Sequence, residues 1–514
     1  MSGPRPISLQ FSSQVREPIR SRIEYAFRVF GAIYDHPVLA GDPGGDAIRC
    51  FYGETAPSPD DLHSFHIPSL YRVNLFENGS KASAKRRYAD EDIYLTCDTD
   101  AASGRPDWLG EIFVWLSGSQ ELGVAERDNI GRIPYSQTIF GREKLSPRKP
   151  HAALLMAWLE NALQNGNAQA DEALPRAPSP VPDAEHLVVC SHDIDFYFVD
   201  RTSSLSRLVK NLAVAFVLYK DWSYFSDNLR MLLQLFGGKR IGDYLPALVK
   251  AAEDEYEFRA TLFVVARRRH RRDPNYRMDQ IADQLSDASR KGFSVGVHGS
   301  YRSVVEDRTL AEEAQILSEH LGRKPTSNRQ HWLRFGEHRT LFGEIERAGL
   351  ACDSTLGFSE AVGFRNGASF AFPPYDFARE RPHGFLEIPL VLMDGSLEEN
   401  ARVSHADPQQ LANEVLGESR KRGWGGVSVI WHNPIESISV PNRINEVFWN
   451  CARQQKAAQE KWVSVDQFLA ACLDRYKKAG LLEGVRLSGD YLSVASNLGR
   501  GDARVLLGVS EDNA

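Results

Sequence analysis

The chain has 514 residues, too many for one ordinary hydrophobic core, so two or more domains are expected. Its 42% hydrophobic and 25% charged residues exclude a disordered or fibrous protein. A net charge of -7 gives no overall attraction to nucleic acid or to an anionic membrane, so electrostatic binding must come from local patches.

Along the chain, residues 15–34 read as an amphipathic helix, 92–97 and 111–116 alternate like strands, and 151–165 return to helical spacing. No motif with chemistry falls among them, and residues 1–167 are expected to form an α+β accessory domain. Residues 168–184, rich in Pro, Ala and acids, read as a linker. The rhythm then becomes strand and helix in alternation. Strands are expected at 187–190, 259–266, 293–297, 386–392 and 426–431, and helices at 244–257, 278–291, 310–321 and 341–349. Such alternation implies a parallel sheet or barrel over 185–478, with its chemistry at the C-terminal ends of the strands. The tail, 479–514, reads as peripheral. Six cysteines contain no C-x-x-C pair, which favours buried thiols over disulfides or structural zinc. No secretory signal is visible, and no stretch reaches the ~18 to 20 apolar residues of a membrane span. A cytoplasmic location is therefore expected.

Ionisable residues recur where the strands finish. The run Leu187-Val188-Val189-Cys190 leads into Ser191-His192-Asp193-Ile194-Asp195, and two carboxylates two apart on a strand share one face. Val297 is followed by His298, then by Gly299-Ser300-Tyr301-Arg302. Ser327-Asn328-Arg329-Gln330-His331-Trp332 follows a helix, as does Cys352-Asp353-Ser354, and Trp431 is followed by His432. These parts suit metal-assisted hydrolysis, in which a carboxylate takes a proton from water and a histidine protonates the leaving amine. An arginine beside the base carboxylate would keep it ionised.

Ser191-His192-Asp193-Ile194-Asp195, Ala260-Thr261-Leu262-Phe263-Val264, Gly292-Phe293-Ser294-Val295-Gly296-Val297-His298, Arg329-Gln330-His331 and Trp431-His432 resemble, in order and spacing, the motifs of the polysaccharide deacetylases of carbohydrate esterase family four, over roughly half the chain. The resemblance implies a distorted (β/α) barrel and a hydrolase acting on amide bonds other than peptide bonds. Asp193 would be the general base, Arg329 its tether and His432 the general acid. Asp195 and His298 would bind a divalent metal, zinc by preference. Trp332, Tyr301 and Arg365 would meet the substrate, with Trp332 walling the acetyl pocket. The family's second metal histidine falls on Arg302, and arginine cannot ligate a metal. His331 is the expected replacement, with His192, solvent completing the shell, or a lost metal as the alternatives. The implied substrate is an N-acetylated (or otherwise acylated) amino sugar in a polysaccharide or its precursor. A nucleotide- or lipid-linked intermediate would suit a cytoplasmic enzyme. A non-catalytic carbohydrate-binding barrel and a metal amidohydrolase for non-sugar amides are the alternatives.

Two further segments have two readings each. Arg267-Arg268-Arg269-His270-Arg271-Arg272 is either a solvated loop or a landing site for a phosphate or acidic sugar. Phe370, Phe372 and Tyr375, after Gly363-Phe364-Arg365-Asn366-Gly367, either stack on sugar or pack in the core.

Overall fold

The computed structural model describes residues 4–40, 47–54, 64–71, 84–88, 91–96, 100, 105–165, 174–195, 197, 201–238, 244–336, 340–435 and 440–482. The tail beyond 482 and residues 168–173 of the expected linker lie outside the described residues.

The N-terminal part is mixed α/β. Strands β1 (Ile7–Phe11), β2 (Val38–Leu39), β3 (Ile48–Gly53) and β4 (Ser64–Pro68) form a parallel sheet in the order β2-β1-β3-β4. β5 (Ala84–Tyr88) and β6 (Glu91–Leu95) form a separate antiparallel pair. Helix α1 (Ile19–Tyr34) covers most of the expected 15–34. The expected strand at 111–116 is instead part of helix α2 (Trp108–Ser117). All ten of its residues are buried, so the apolar stripe that would betray an amphipathic helix is missing. Asp107 starts it: its carboxylate accepts from Gly110 N at 2.8 Å, from Leu70 N and Tyr71 N at 2.9 Å, and from Tyr52 Oη at 2.6 Å. Helices α3 (Ile139–Glu143) and α4 (His151–Asn165) complete this part.

From His186 the chain builds a (β/α) barrel. Its strands are β7 (His186–Asp193), β8 (Thr261–Val264), β9 (Ser294–Gly299), β10 (Ser327–Gln330) and β11 (Cys352–Asp353). After a short antiparallel pair, β12 (Tyr375–Asp376) and β13 (Arg381–Pro382), come β14 (Leu386–Glu387), β15 (Leu390–Met393), β16 (Gly425–Ile430) and β17 (Glu460–Val463). The sheet runs β14-β11-β10-β9-β8-β7-β16-β15, with β17 also on β7, and every pairing in it is parallel. β14 and β15 are its two edges, yet only Ile388 and Pro389 separate them in sequence. The three steps from Glu387 to Leu390 span at most ~11 Å, so the sheet must curl until its edges nearly meet. The single strand expected over 386–392 is broken there because Pro389 has no N–H to give a ladder.

Between β7 and β8 come α5 (Arg201–Val214), α6 (Trp222–Phe236) and α7 (Leu245–Ala251). Helices α8 (Met278–Arg290), α9 (Thr309–Leu321) and α10 (Thr340–Ala348) link the next strands, and α11 (Asp394–Ser404) and α12 (Pro408–Arg422) connect β15 to β16. Helices α13 (Asn442–Gln454) and α14 (Val465–Lys478) flank β17. One continuous apolar core runs from Ile7 to Leu482. Across it, Tyr25 Oη donates to Pro373 O at 2.7 Å and Arg22 pairs with Glu380 at 2.6 Å.

Candidate metal centre and catalytic cleft

β7, β9, β10 and β16 deliver their last residues to one point. Past the end of β7, Ile194 N donates to Phe263 O and Asp195 N to Asp193 O, both at 2.9 Å, so the chain bends and brings Asp195 back over the barrel mouth. His298 closes β9. Its Nδ1 lies 2.7 Å from Arg329 O, and a carbonyl only accepts, so Nδ1 carries the proton and Nε2 presents its lone pair. That Nε2 stands 3.3 Å from Asp195 Oδ1. His331 follows β10, with Nε2 3.5 Å from Asp195 Oδ2 and Nδ1 3.4 Å from Asp273 Oδ1. The ligand atoms of Asp195, His298 and His331 lie within 4.8 Å of one another.

A divalent ion fits this cluster. Asp195 Oδ1 and His298 Nε2 are buried and have no hydrogen-bond partner in the protein. The donors are one carboxylate and two imidazoles, a set that suits zinc, and each imidazole is fixed from behind. Burial works against charge on Asp195, but His331 and His298 outweigh it and hold the carboxyl well below the usual range. Burial likewise disfavours charge on His331, yet Asp195 and Asp273 carry it up to about 9.

His192 does not reach the cluster. Its Nδ1 is 2.7 Å from Trp431 O, and burial lowers it to about 4, so it is a neutral core histidine. Arg302 is half exposed and pairs with Glu306 at 3.0 Å, turned away from the site.

Two groups flank the cluster. Asp193 is 3% exposed, with Oδ2 3.9 Å from His298 Nε2 and Oδ1 3.7 Å from Arg329 Nη1. Arg329 is wholly buried, and its Nη2 donates to Ser191 Oγ, Ser354 Oγ and Ser428 Oγ at 3.0 to 3.2 Å. Burial lowers its pKa, while Asp193 is the foremost of the carboxylates opposing that fall. On the other side, His432 Nε2 is 3.6 Å from Asp195 Oδ2. Asp394 holds this histidine twice: Oδ1 is 2.7 Å from His432 Nδ1, and Oδ2 accepts from the backbone N at 3.0 Å. Against burial, Asp394 chiefly, with Asp195 and Asp193, lifts His432 to about 10.

These residues open into a cleft of about 1070 Å³. Trp332 is on its wall, 41% exposed, and adopts φ 65°, a strained backbone for a bulky side chain. The structure does not bring Arg365 there. It is buried in a two-point pair with Glu121 at 3.0 and 3.1 Å and lines a separate cavity of about 350 Å³. Tyr301 is a support rather than a wall: His270 stacks on it at 4.5 Å, and its hydroxyl accepts from Arg272 Nη1 at 2.8 Å. Phe370, Phe372 and Tyr375 are buried in the core. From the arginine-rich loop, Arg268, Arg271 and Arg272 line the cleft, joined by Arg132 from the N-terminal part and by Arg207 and Lys210 from α5. The sequence reading did not single out Asp273 and Asp394. Asp394 had a usable signal, since it directly follows the apolar run Leu390-Val391-Leu392-Met393, at another strand's C-terminal end.

No protein-family model matches the chain, and no curated protein matches it in sequence. Solved structures do. A probable polysaccharide deacetylase from Pseudomonas aeruginosa superposes with TM-score 0.35 at 14% identity, covering 59% of this chain and 93% of that one. A polysaccharide deacetylase from Bacillus cereus gives TM-score 0.28 at 11% identity, over 54% and 91%. The catalytic domain of a peptidoglycan N-acetylglucosamine deacetylase from Eubacterium rectale gives 0.27 at 11%, over 57% and 94%. Strand order and polar strand ends define the class from within this chain: a (β/α) barrel carrying a candidate Asp/His/His metal site at the C-terminal ends of its strands.

Proposed function

We propose that the protein is a zinc-dependent hydrolase that removes an N-acetyl or other acyl group from an amino sugar, in a polysaccharide or a biosynthetic precursor of one. The observation that carries this reading is the three-residue cluster with a carboxylate on one side and a separately anchored histidine on the other. An ion bound by Asp195, His298 and His331 would acidify a water to a pKa of about 7 and polarise the acyl carbonyl. Asp193 is the proton acceptor, and Arg329, buried with Nη1 3.7 Å from its Oδ1, orients it. His432 holds its Nδ1 proton on Asp394 and presents Nε2 to the cleft, the atom placed to protonate the departing amine. Trp332 would close the site around a small acyl group.

The cleft's cations bear on the substrate. Arg268, Arg271, Arg272 and Lys210 have no carboxylate partner among the described residues. Arg268 Nη1 instead donates to Asn275 Oδ1 at 2.6 Å. A sugar linked to phosphate, whether on a nucleotide or a lipid, would meet that surface, consistent with a cytoplasmic biosynthetic step.

Acetate release from N-acetylated oligosaccharides, nucleotide-linked N-acetyl sugars and small amides tests the reading, alongside metal analysis of the purified protein. We expect a stoichiometric divalent ion, turnover of an acylated sugar, and a loss of about 100- to 10,000-fold in kcat on Asp193→Asn with the fold retained. Turnover of the small amides alone would redirect the assignment to a non-sugar amidohydrolase, and undiminished activity in Asp193→Asn would sink the mechanism. Arg271→Ala is expected to raise KM for a phosphate-linked sugar and leave kcat nearly unchanged.

A further inference from the structure

Helices α5 and α6 form a hairpin with a face that catalysis does not use. They pack on each other through Leu208, Met231 and Leu235, and Asn211 Nδ2 donates to Asn228 Oδ1 at 2.9 Å. Turned outward are Val209, Phe216, Val217, Trp222, Leu233 and Phe236, each at least 54% exposed. Among the other described residues only Val305 at 65% and Val403 at 64% are large apolar side chains exposed to that degree. On α6 the positions 222, 229, 233 and 236 fall seven, four and three apart, which is one helix face. At the turn, the rings of Phe216, Trp222 and Phe225 cluster with centroids 5.7 to 6.2 Å apart.

The charges around this face have one sign. Lys210, Lys220 and Arg230 are exposed and form no ion pair among the described residues. The carboxylates of α6 and its N-cap are turned to the body: Asp221 pairs with Arg443, and Asp227 accepts from Asn442 N at 3.3 Å. The hairpin also borders the catalytic cleft, because Ser206, Arg207 and Lys210 of α5 line it.

We propose that the α5–α6 hairpin is an interfacial docking element that seats on an anionic lipid bilayer and sets the cleft mouth beside that surface. Trp, Phe and Leu on one face, flanked by unpaired Lys and Arg, is the composition of a helix that lies in the headgroup region. At 14 and 15 residues, α5 and α6 are too short to span a bilayer, and among the described residues no helix is long and apolar enough to cross one. A second copy of the chain is a poorer occupant, since pairing this face with itself would bring Lys210, Lys220 and Arg230 toward their own equivalents without a carboxylate to meet them. With a net charge of -7, the whole molecule is not drawn to an anionic surface, so attraction must come from this patch.

Flotation of the full chain with vesicles tests this without any substrate, so its outcome is independent of the deacetylase reading. We expect binding to vesicles of equal parts phosphatidylglycerol and phosphatidylcholine, and little to phosphatidylcholine alone. Trp222→Ser with Leu233→Ser, and separately Lys220→Glu with Arg230→Glu, should each reduce binding by about tenfold or more. All four positions are exposed, so melting temperatures should match the parent. On the unsubstituted protein, salt at about 1 M, where screening acts within ~3 Å, should weaken binding as well. Absence of binding to anionic vesicles, or variants that bind like the parent, would overturn the proposal. So would light scattering that finds a dimer which the Trp222→Ser variant splits.

Discussion

Each histidine around Asp195 has one ring nitrogen committed to a fixed acceptor, and that commitment decides what the other nitrogen can do. His298 gives Nδ1 to a backbone carbonyl, whereas His331 and His432 give theirs to Asp273 and Asp394. The carboxylates behind His331 and His432 are therefore open to separate tests. Asp273→Asn should weaken metal affinity by about 10- to 100-fold, read by competition with a chelator, because it loosens the ring of a ligand. On the proposed roles, Asp394→Asn should leave metal binding intact and lower kcat, because it disturbs only the proposed proton donor His432. Equal loss of metal in both variants would defeat this division. Asp193, Asp195, His298 and His432 stand out in the sequence because polar residues follow apolar strand runs there, whereas Arg329 and His331 lie in a polar stretch marked by the order of the motifs alone. Asp273 could not, since it sits in a loop beside five arginines where a carboxylate reads as charge balance. Arg365 misled in the opposite way. A glycine-flanked arginine looks like a binding-loop residue, yet Glu121, 244 positions away, holds it in a buried pair.

At the level of elements, legibility followed burial pattern. Parallel strands covered on both faces read as unbroken apolar runs, so 293–297 and 426–431 fall within a residue or two of β9 and β16. Helix α2 is buried on every side, so its periodicity carried no information and its β-branched and aromatic content read as a strand. The informative residue was Asp107, just ahead of it. Its carboxylate caps α2 and also takes hydrogen bonds from Leu70, Tyr71 and Tyr52, tying the helix to the segment after β4. Asp107→Ala would leave those donors buried without an acceptor. We expect a loss of about 2 to 4 kcal/mol in stability by chemical denaturation, with m unchanged. A change below about 0.5 kcal/mol would mean that water replaces the carboxylate. The α5–α6 hairpin escaped notice for a different reason. Its apolar stripe faces outward, and sequence periodicity cannot say which side of a stripe meets the core.

Across the whole molecule, the N-terminal part and the barrel meet through buried polar contacts as well as apolar ones, and a buried histidine beside one of these contacts makes stability depend on pH. His151 begins α4 where Ala152 N donates to Gly367 O at 2.8 Å, and its ring stacks on Trp115 at 4.7 Å. Neither ring nitrogen has a hydrogen-bond partner in the protein. Burial, with a smaller push from Lys149, lowers this histidine from 6.5 to about 3. The folded chain therefore binds fewer protons here than the unfolded chain between about pH 6.5 and about pH 3. Stability from this group is complete above about pH 6.5 and drains away as pH falls. At about pH 5 the unfolded state gains about 2 kcal/mol from protonating this one ring. His151→Gln, neutral in both states, should thus close the gap to the parent by about that amount between pH 8 and pH 5, whatever its stability at pH 8. The measurement is denaturant unfolding of both proteins at the two pH values, and parallel curves would show that His151 binds its proton equally well folded and unfolded. Because His151 lies at the junction with the barrel, the same acid transition should appear in probes of the N-terminal sheet and in probes of the cleft together. That is the behaviour of one cooperative core running from Ile7 to Leu482.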